Sequence, residues 1–379
     1  MSAVAATMLR TSQSSGASHV SVQGGEGTVT ELAADRPAGS RVTSADVARL
    51  AGVSVSAVSL AFNDKPGISD ATRRRILDVA RDLNWRPHRA ARALKVVTSD
   101  AVGLVVARPA RTLGVEPFFA HIMSGLQARF SHDGIALQIL IVEDTDAEVA
   151  TYRRWAAEQR VDGLVLLDLV VEDPRPALVA ELGIPAVMLG GHGEDAPVSS
   201  VWVDDHEAMT HALEYLAALG HTTIGHVSGT PTFQHTVRRL EAAAECAQRL
   251  GLEVRSVPTD FSDAQGADAT RRLLMNRPRP TALLYDSDVM AIAGLGVGAE
   301  MGLRVPQDVS VLSFDDSVLT RLTHPTVTAL ARDTHALGEL TASELLRTIA
   351  ERGPVRHVQG PTPHLVVRGS TAPPRSARG

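Results

Sequence analysis

The sequence predicts a small all-α helix-turn-helix headpiece followed by a two-lobed α/β core built on parallel sheets. Three observations carry this expectation. Residues 43–63 hold two short helical patterns split by Gly52; residues beyond 100 alternate apolar strand-like runs with helix-like stretches; and charge is divided unequally between the two regions. At 379 residues the chain exceeds one small domain, and a composition of 44% hydrophobic and 21% charged residues is globular. Aromatic residues make up only 3%, so the cores must be mostly aliphatic. Net charge is −6, yet residues 41–95 alone carry +6, which leaves −12 on the remainder. A basic module on an acidic body is the asymmetry expected when one module meets phosphate.

Residues 1–40 are rich in Ser, Gly, Ala and Thr without sustained periodicity, and read as a disordered leader. The first helix starts at Thr43 as N-cap and places Val47, Ala48, Leu50 and Ala51 at helical spacing. Gly52 supplies the turn, because a connection this tight needs φ > 0. The second helix opens at Ser54 and carries Val55, Val58, Ala61 and Phe62, with Ala48 and Ala57 small enough for a close crossing. By itself this pattern also fits a plain αα-hairpin. After the turn at residues 63–67, Ser69 caps a third helix over 70–83, whose stripe is Ile76, Val79, Ala80 and Leu83. Its arginines, Arg73, Arg74, Arg75 and Arg81, read as a solvated basic face, and Trp85 closes the small core. The segment RPHRAARALK (86–95) is basic and alanine-rich with almost no apolar face, so it is a poor helix in isolation.

From residue 101 the apolar runs AVGLVVA (101–107), ALQILIV (136–142), DGLVLLD (162–168) and PAVMLG (185–190) alternate with helices starting near Phe118, Asp146 and Arg175. Near Val201 a second series begins, with strands TIGHVSG (223–229), EVRSVPTDF, TALLYDS and VSVLSFDD (309–316) separated by helices. One more strand and helix fall within 327–350 and a last strand within 364–368; residues 370–379 read as a tail. Strands of this kind form parallel sheets covered by helices, with ligand expected at the strand C-terminal ends facing a cleft.

An enzyme is the main rival from another class. The glycines at 294, 296 and 298 do not fit G-x-G-x-x-G and lie in a helical pattern, and Ser228 falls one position late for a nucleophile elbow. Asp204, Asp205, His206 and Glu207 form a dense polar cluster, but no metal-ligand spacing accompanies it, so charge at a helix N-terminus is the preferred reading. No catalytic residue, metal or cofactor is expected. No apolar run approaches the ~20 residues of a membrane span, and the start lacks the order of a secretion signal. The lone Cys246 excludes an intramolecular disulfide. A cytoplasmic, nucleoid-associated location is expected.

Taken together and in order, VTSADVARLAGVSVSAVS, NDKPGIS-x-x-TRRRI, RPHRAARAL, PFFAHIMSGL, VDGLVLL, LGHTTIGHVSG, PTALLYDSDVMAIAGLGVGAEMGLRVPQDVSVLSFDD and HPTVTAL resemble the LacI-type bacterial transcription regulators over residues 42–369. The resemblance implies a DNA-binding headpiece at 41–86, a hinge at 87–99 and a periplasmic-binding-protein-like core. The core's first lobe would comprise 100–202 with 331–359, and its second 203–330 with 360–369. It further implies a homodimer on a pseudo-palindromic double-stranded operator, most often a repressor, switched by a small polar effector such as a sugar. The runner-up is a small-molecule-binding protein of the same core without a DNA role, which the headpiece argues against.

By position, the resemblance puts Val55, Ser56 and Leu60 on the base-reading face, and Thr43, Ser54, Ser59, Asn63 and Thr72 at phosphate-contacting positions. Arg89 and Leu94 fall in the hinge, Leu94 at the family's apolar wedge. Many members carry arginine where Leu60 stands; leucine cannot make the bidentate guanine contact and is left to a thymine methyl or to the core. The implied effector positions are Phe118, Phe119, Phe233, His235, Arg239, Phe261, Ser287 and Asp315. An arginine facing an aspartate across an aromatic wall suits a polar ligand, whereas a structural pair between Arg239 and Asp315 is the plainer alternative. Gly190 and Ser287 stand where sugar-binding members often carry Asp or Asn, and both departures weaken a sugar assignment.

Overall fold

The computed structural model of the chain describes residues 42–86, 99–109, 114, 116–191 and 196–375. They fall into two compact units that divide at residues 97–98. The leader and the hinge positions Arg89 and Leu94 lie outside the described residues.

The headpiece consists of α1 (Ser44–Leu50), α2 (Val55–Phe62) and α3 (Asp70–Asp82). Thr43 makes a full capping box with Asp46, while Ser54 and Ser69 cap α2 and α3 by accepting from the backbone three residues on. Gly52 adopts φ 63°, with nothing within 4 Å of the position a Cβ would take, so the demand there is conformational and not steric. α1 and α2 meet at 101°, within the range of a helix-turn-helix. Val47, Ala48, Ala51, Val58, Ala61, Ile76 and Ala80 form the buried core. Trp85 closes it edge-on against Phe62, with ring centroids 5.4 Å apart.

Arg73 departs from the expected solvated face. Its guanidinium donates to the carbonyls of Ala61 and Lys65 and pairs with Asp64 at 2.7 Å. It therefore clamps the chain that leaves α2. Sequence position alone gives no sign of this, because the acceptors are backbone.

The core contains two six-stranded sheets. In the first lobe, β1 (Ala101–Ala107), β2 (Ala136–Val142), β3 (Gly163–Leu166), β4 (Ala186–Leu189), β5 (Ser199–Trp202) and β11 (His357–Gln359) lie in the order β11-β5-β4-β3-β1-β2, all parallel. The helices of this lobe are α4 (Pro117–His132), α5 (Thr145–Ala157), α6 (Arg175–Glu181) and the late α12 (Thr334–Glu351). α12 lies directly on α4 through glycines: a Cβ at Gly125 would meet the His335 carbonyl at 2.0 Å, and one at Gly338 the Ile122 carbonyl at 2.5 Å.

The second lobe orders β6 (Thr223–Ser228), β7 (Glu253–Pro258), β8 (Ala282–Tyr285), β9 (Ser310–Ser313), β10 (Thr328–Ala331) and β12 (His364–Val366) as β12-β10-β9-β8-β6-β7. Only β12 runs antiparallel, against β10. Its helices are α7 (Asp205–Ala218), α8 (Gln234–Leu250), α9 (Asp263–Met275), α10 (Asp288–Glu300) and α11 (Val318–Leu322). Every residue of β3, β4, β8 and β9 is buried, as parallel strands covered on both faces require.

Two expectations need correction. Ser199–Trp202 is a strand where the sequence suggested only the approach to a helix, and its four residues are too few for a period to show. Residues 370–375, read as a tail, belong to the second lobe. Ser370 is fully buried and bonds both neighbouring strands, through its carbonyl to Val311 N and its hydroxyl to Val311 O and Thr328 N. Thr371 reaches Tyr215 and Thr328, and Ala372 accepts from Ser310. A run of small polar residues looked like linker because its partners are distant in sequence.

The chain passes between lobes three times, after β5, after β10 and after β11. A further contact joins the lobes beside these passages. Val170 of the first lobe forms an isolated antiparallel bridge to Phe233 of the second. Val171 N donates to Thr232 O and Gln234 N to Leu169 O, both at 2.9 Å, and Gln234 Nε2 donates to Val170 O at 2.8 Å.

Candidate DNA-reading surface and effector cleft

On the headpiece, Val55 is 49% exposed at the first turn of α2, and Ser56 and Ser59 are exposed on the same helix. Leu60 is half-buried and lies outside the core cluster; its Cδ1 would be 3.3 Å from a Cβ at Gly67, so it leans on the following turn. The polar positions are tied into local structure: Ser54 Oγ to Ser56 Oγ at 2.8 Å, Asn63 Nδ2 to Ser59 O at 2.8 Å, and Thr72 Oγ1 to Ser69 Oγ at 2.9 Å.

In the core, the strand ends of both lobes converge on one cleft, which encloses about 760 Å³ of empty space including its open mouth. Phe118, Phe119, His235, Arg239, Phe261, Ser287 and Asp315 all line it. Phe233 stands behind: its ring stacks on His235 with centroids 5.5 Å apart and leans on Phe261 at 6.4 Å.

The partner of Arg239 differs from the expected one. It binds Asp205, through Nε at 3.0 Å and Nη2 at 2.8 Å, and lies 3.8 Å from Asp286, with its plane 3.7 Å from the centre of the Phe314 ring. Asp315 pairs instead with Arg332 at 2.6 Å. A third pair, Arg108 with Asp168 at 2.8 Å, lies under a ring cage in which the guanidinium sits 5.7, 4.5 and 5.0 Å from Phe119, Phe233 and Phe261. Among the described residues the cleft thus presents three guanidiniums, each already neutralised by a carboxylate and each lying over an aromatic face, Arg332 over Phe118.

The titrations follow from these neighbours. Burial opposes ionisation of Asp286, but His226, Arg239 and the Gly229 amide outweigh it and hold the carboxyl down at about 2. Asp205 is likewise held below the usual carboxylate range, by Arg239 and Arg332 against its burial. His235 is pushed down to about 4, by burial first and then by Arg239, so the imidazole is neutral. Glu116 moves the other way, to about 8, because burial dominates and Arg108 offsets it only in part.

Sequence reasoning missed Arg108, Glu116, Asp168, Asp205 and Arg332, all of which line the cleft. A signal was present: Arg108 and Asp168 are the first charged residues beyond the apolar runs of β1 and β3. Ligands in open α/β sheets sit at those strand ends. Asp205 was assigned to helix N-terminal charge, a role that Asp204 fills by accepting from Glu207 N at 2.9 Å.

Residues 43–88 match the description "Bacterial regulatory proteins, lacI family", and residues 213–371 match "Periplasmic binding protein-like domain". The chain is 33% identical to the HTH-type transcriptional regulator CelR of Thermobifida fusca over 332 residues, 86% of this chain and 96% of that protein. Among solved structures, the CelR–cellobiose complex is similar at 31% identity and a TM-score of 0.65, covering 87% of this chain and all of that one. The lac repressor dimer bound to operator and the anti-inducer ONPF is similar at 25% identity and a TM-score of 0.77, covering 88% of this chain and all of that one. With a capped, basic helix-turn-helix unit joined to a two-lobed cleft, and with these similarities along nearly its whole length, the chain belongs to the LacI family of bacterial transcriptional regulators and is a DNA-binding protein, not an enzyme.

Proposed function

We propose that this protein represses transcription as a homodimer on a pseudo-palindromic operator and that a small uncharged, hydroxyl-rich effector in the cleft switches it. The observation that carries the effector reading is the cleft's charge arrangement. Arg108, Arg239 and Arg332 are each bound to a carboxylate, so among the described residues an anionic ligand meets no unpaired arginine, whereas a polyol finds donors, acceptors and ring faces together. The similar regulator CelR is solved as a complex with cellobiose. Arg239, Asp205, His235, Ser287 and Asp315 would contact the polar side of the ligand, and Phe118, Phe119 and Phe261 its apolar face.

On the headpiece, Val55, Ser56 and Leu60 would read base edges, with Thr43, Ser54, Ser59, Asn63 and Thr72 holding phosphates; Arg89 and Leu94 would enter the minor groove. Without a long donor among the readers, deformation of the central steps would carry much of the specificity. A second copy would pair beside the edge strand β2, where Ile139 and Ile141 are each 43% exposed. Effector binding, by favouring one arrangement of the lobes, would change the spacing of the paired headpieces. Residence in the cytoplasm at the nucleoid follows from this role.

The test is selection of random duplexes by the full-length protein at physiological salt, followed by titration with sugars. Enrichment of a two-fold symmetric site that a sugar releases, or tightens, is the expected result; no preference over random DNA would sink the reading.

A further inference from the structure

Glu116 differs from the paired charges of the cleft. It precedes α4 at the N-cap position, in extended conformation, yet its side chain makes no cap hydrogen bond. The residue is 7% exposed, lines the cleft, and leaves Oε1 buried without a hydrogen-bond partner. A native carboxyl in this state calls for a missing partner, since an unsatisfied buried polar atom is costly.

The charges that face it do not favour a carboxylate. Arg108 comes from the end of β1, but Asp168 after β3 already engages it; Asp315 after β9 and Asp288 at the start of α10 add two further negative charges. With burial as the leading cause, the carboxyl is held neutral up to about pH 8. A neutral carboxyl has one O–H to donate. Arg332, across the same cleft, also keeps Nε buried and unpartnered, so two donors await acceptor oxygens.

We propose that Glu116 is a specificity-determining contact of this cleft, donating a hydrogen bond from its protonated carboxyl to an acceptor oxygen of an uncharged effector, so that effector affinity falls as the carboxyl ionises. The inference rests on the effector-cleft reading above and adds to it a residue, a polarity and a pH dependence. Only the protonated fraction would bind, and for a carboxyl near 8 that fraction drops about tenfold between pH 7 and pH 9.

The experiment is calorimetric titration of the full-length protein with cellobiose, maltose, lactose, glucose and ribose at pH 7 and pH 9, using wild type, Glu116→Gln and Glu116→Leu. Thermal melts of each variant check that it is folded. Expected for a sugar that binds are about tenfold weaker affinity of the wild type at pH 9, a Gln variant that keeps the pH 7 affinity with a flat profile, and a Leu variant that loses at least tenfold at pH 7. A Gln variant with the wild-type pH profile, or a Leu variant with wild-type affinity, overturns the role of Glu116 while leaving the cleft as the effector site. Absence of binding by any of these sugars to a wild type that still selects its operator overturns the carbohydrate-cleft reading and this inference with it.

Discussion

At the scale of single residues, the cleft is a set of buried charges that depend on one another. Arg239 is 3% exposed and stands between Asp205 and Asp286, so its removal strands Asp205 and leaves Asp286 on His226 and the Gly229 amide alone. Arg239→Ala is therefore expected to destabilise the core by roughly 3–5 kcal/mol, read as a lower urea midpoint, besides ending any effector response. His235 gives a pH test. Its folded value near 4 lies below the ~6.5 of an unfolded histidine, so below pH 6.5 the unfolded chain takes up a proton that the native one refuses. The associated stability is whole above pH 6.5 and lost as pH falls toward 4. His235→Gln should narrow the drop in urea midpoint between pH 6.5 and 4.5 relative to wild type; equal drops would refute the neutral imidazole. Among these residues Arg239 and His235 were legible from the family resemblance, whereas Asp205 was not recognised as the partner. Which carboxylate an arginine finds is decided by strands and helices that meet only in three dimensions.

At the scale of elements, the headpiece shows where local sequence is sufficient. Its caps at Thr43, Ser54 and Ser69, its positive-φ glycine and its helical stripes all agree, so the three helices were readable within a residue of their ends. Thr43→Ala removes the hydroxyl half of the capping box, leaving the backbone N–H of position 43 on Asp46, and should cost about 1 kcal/mol in the headpiece, seen as faster amide exchange at Val47 and Ala48 with core amides unchanged. The runs of β1, β3, β4 and β8 were equally plain because burial on both faces writes a continuous apolar run. β5, β11 and α11 were not foreseen: β5 (SSVW) and β11 (HVQ) lack the apolar run that marks the equally short β3 and β4, and α11 spans only five residues. Arg73 belongs with these omissions: it acts on backbone carbonyls, which leave no trace in the identity of the residues it holds.

At the scale of the whole molecule, the C-terminal stretch is structural. Ser370 and Thr371 tie β9, β10 and α7 together, so ending the chain at Gly369 should lower the melting temperature of the core and leave headpiece amide exchange as it was. Unchanged melting would show that these bonds are replaced by water without loss. The bridge between Val170 and Phe233 has a different consequence, one of timing. Three backbone or side-chain hydrogen bonds and the caged Arg108 hold the lobes together beside the cleft, so if the proposed effector needs the lobes apart to enter, it would wait for these contacts to break. Association would then level off with rising ligand concentration at the rate of that opening, and the regulator's response to a sudden supply of effector would be paced by its own breathing, not by diffusion.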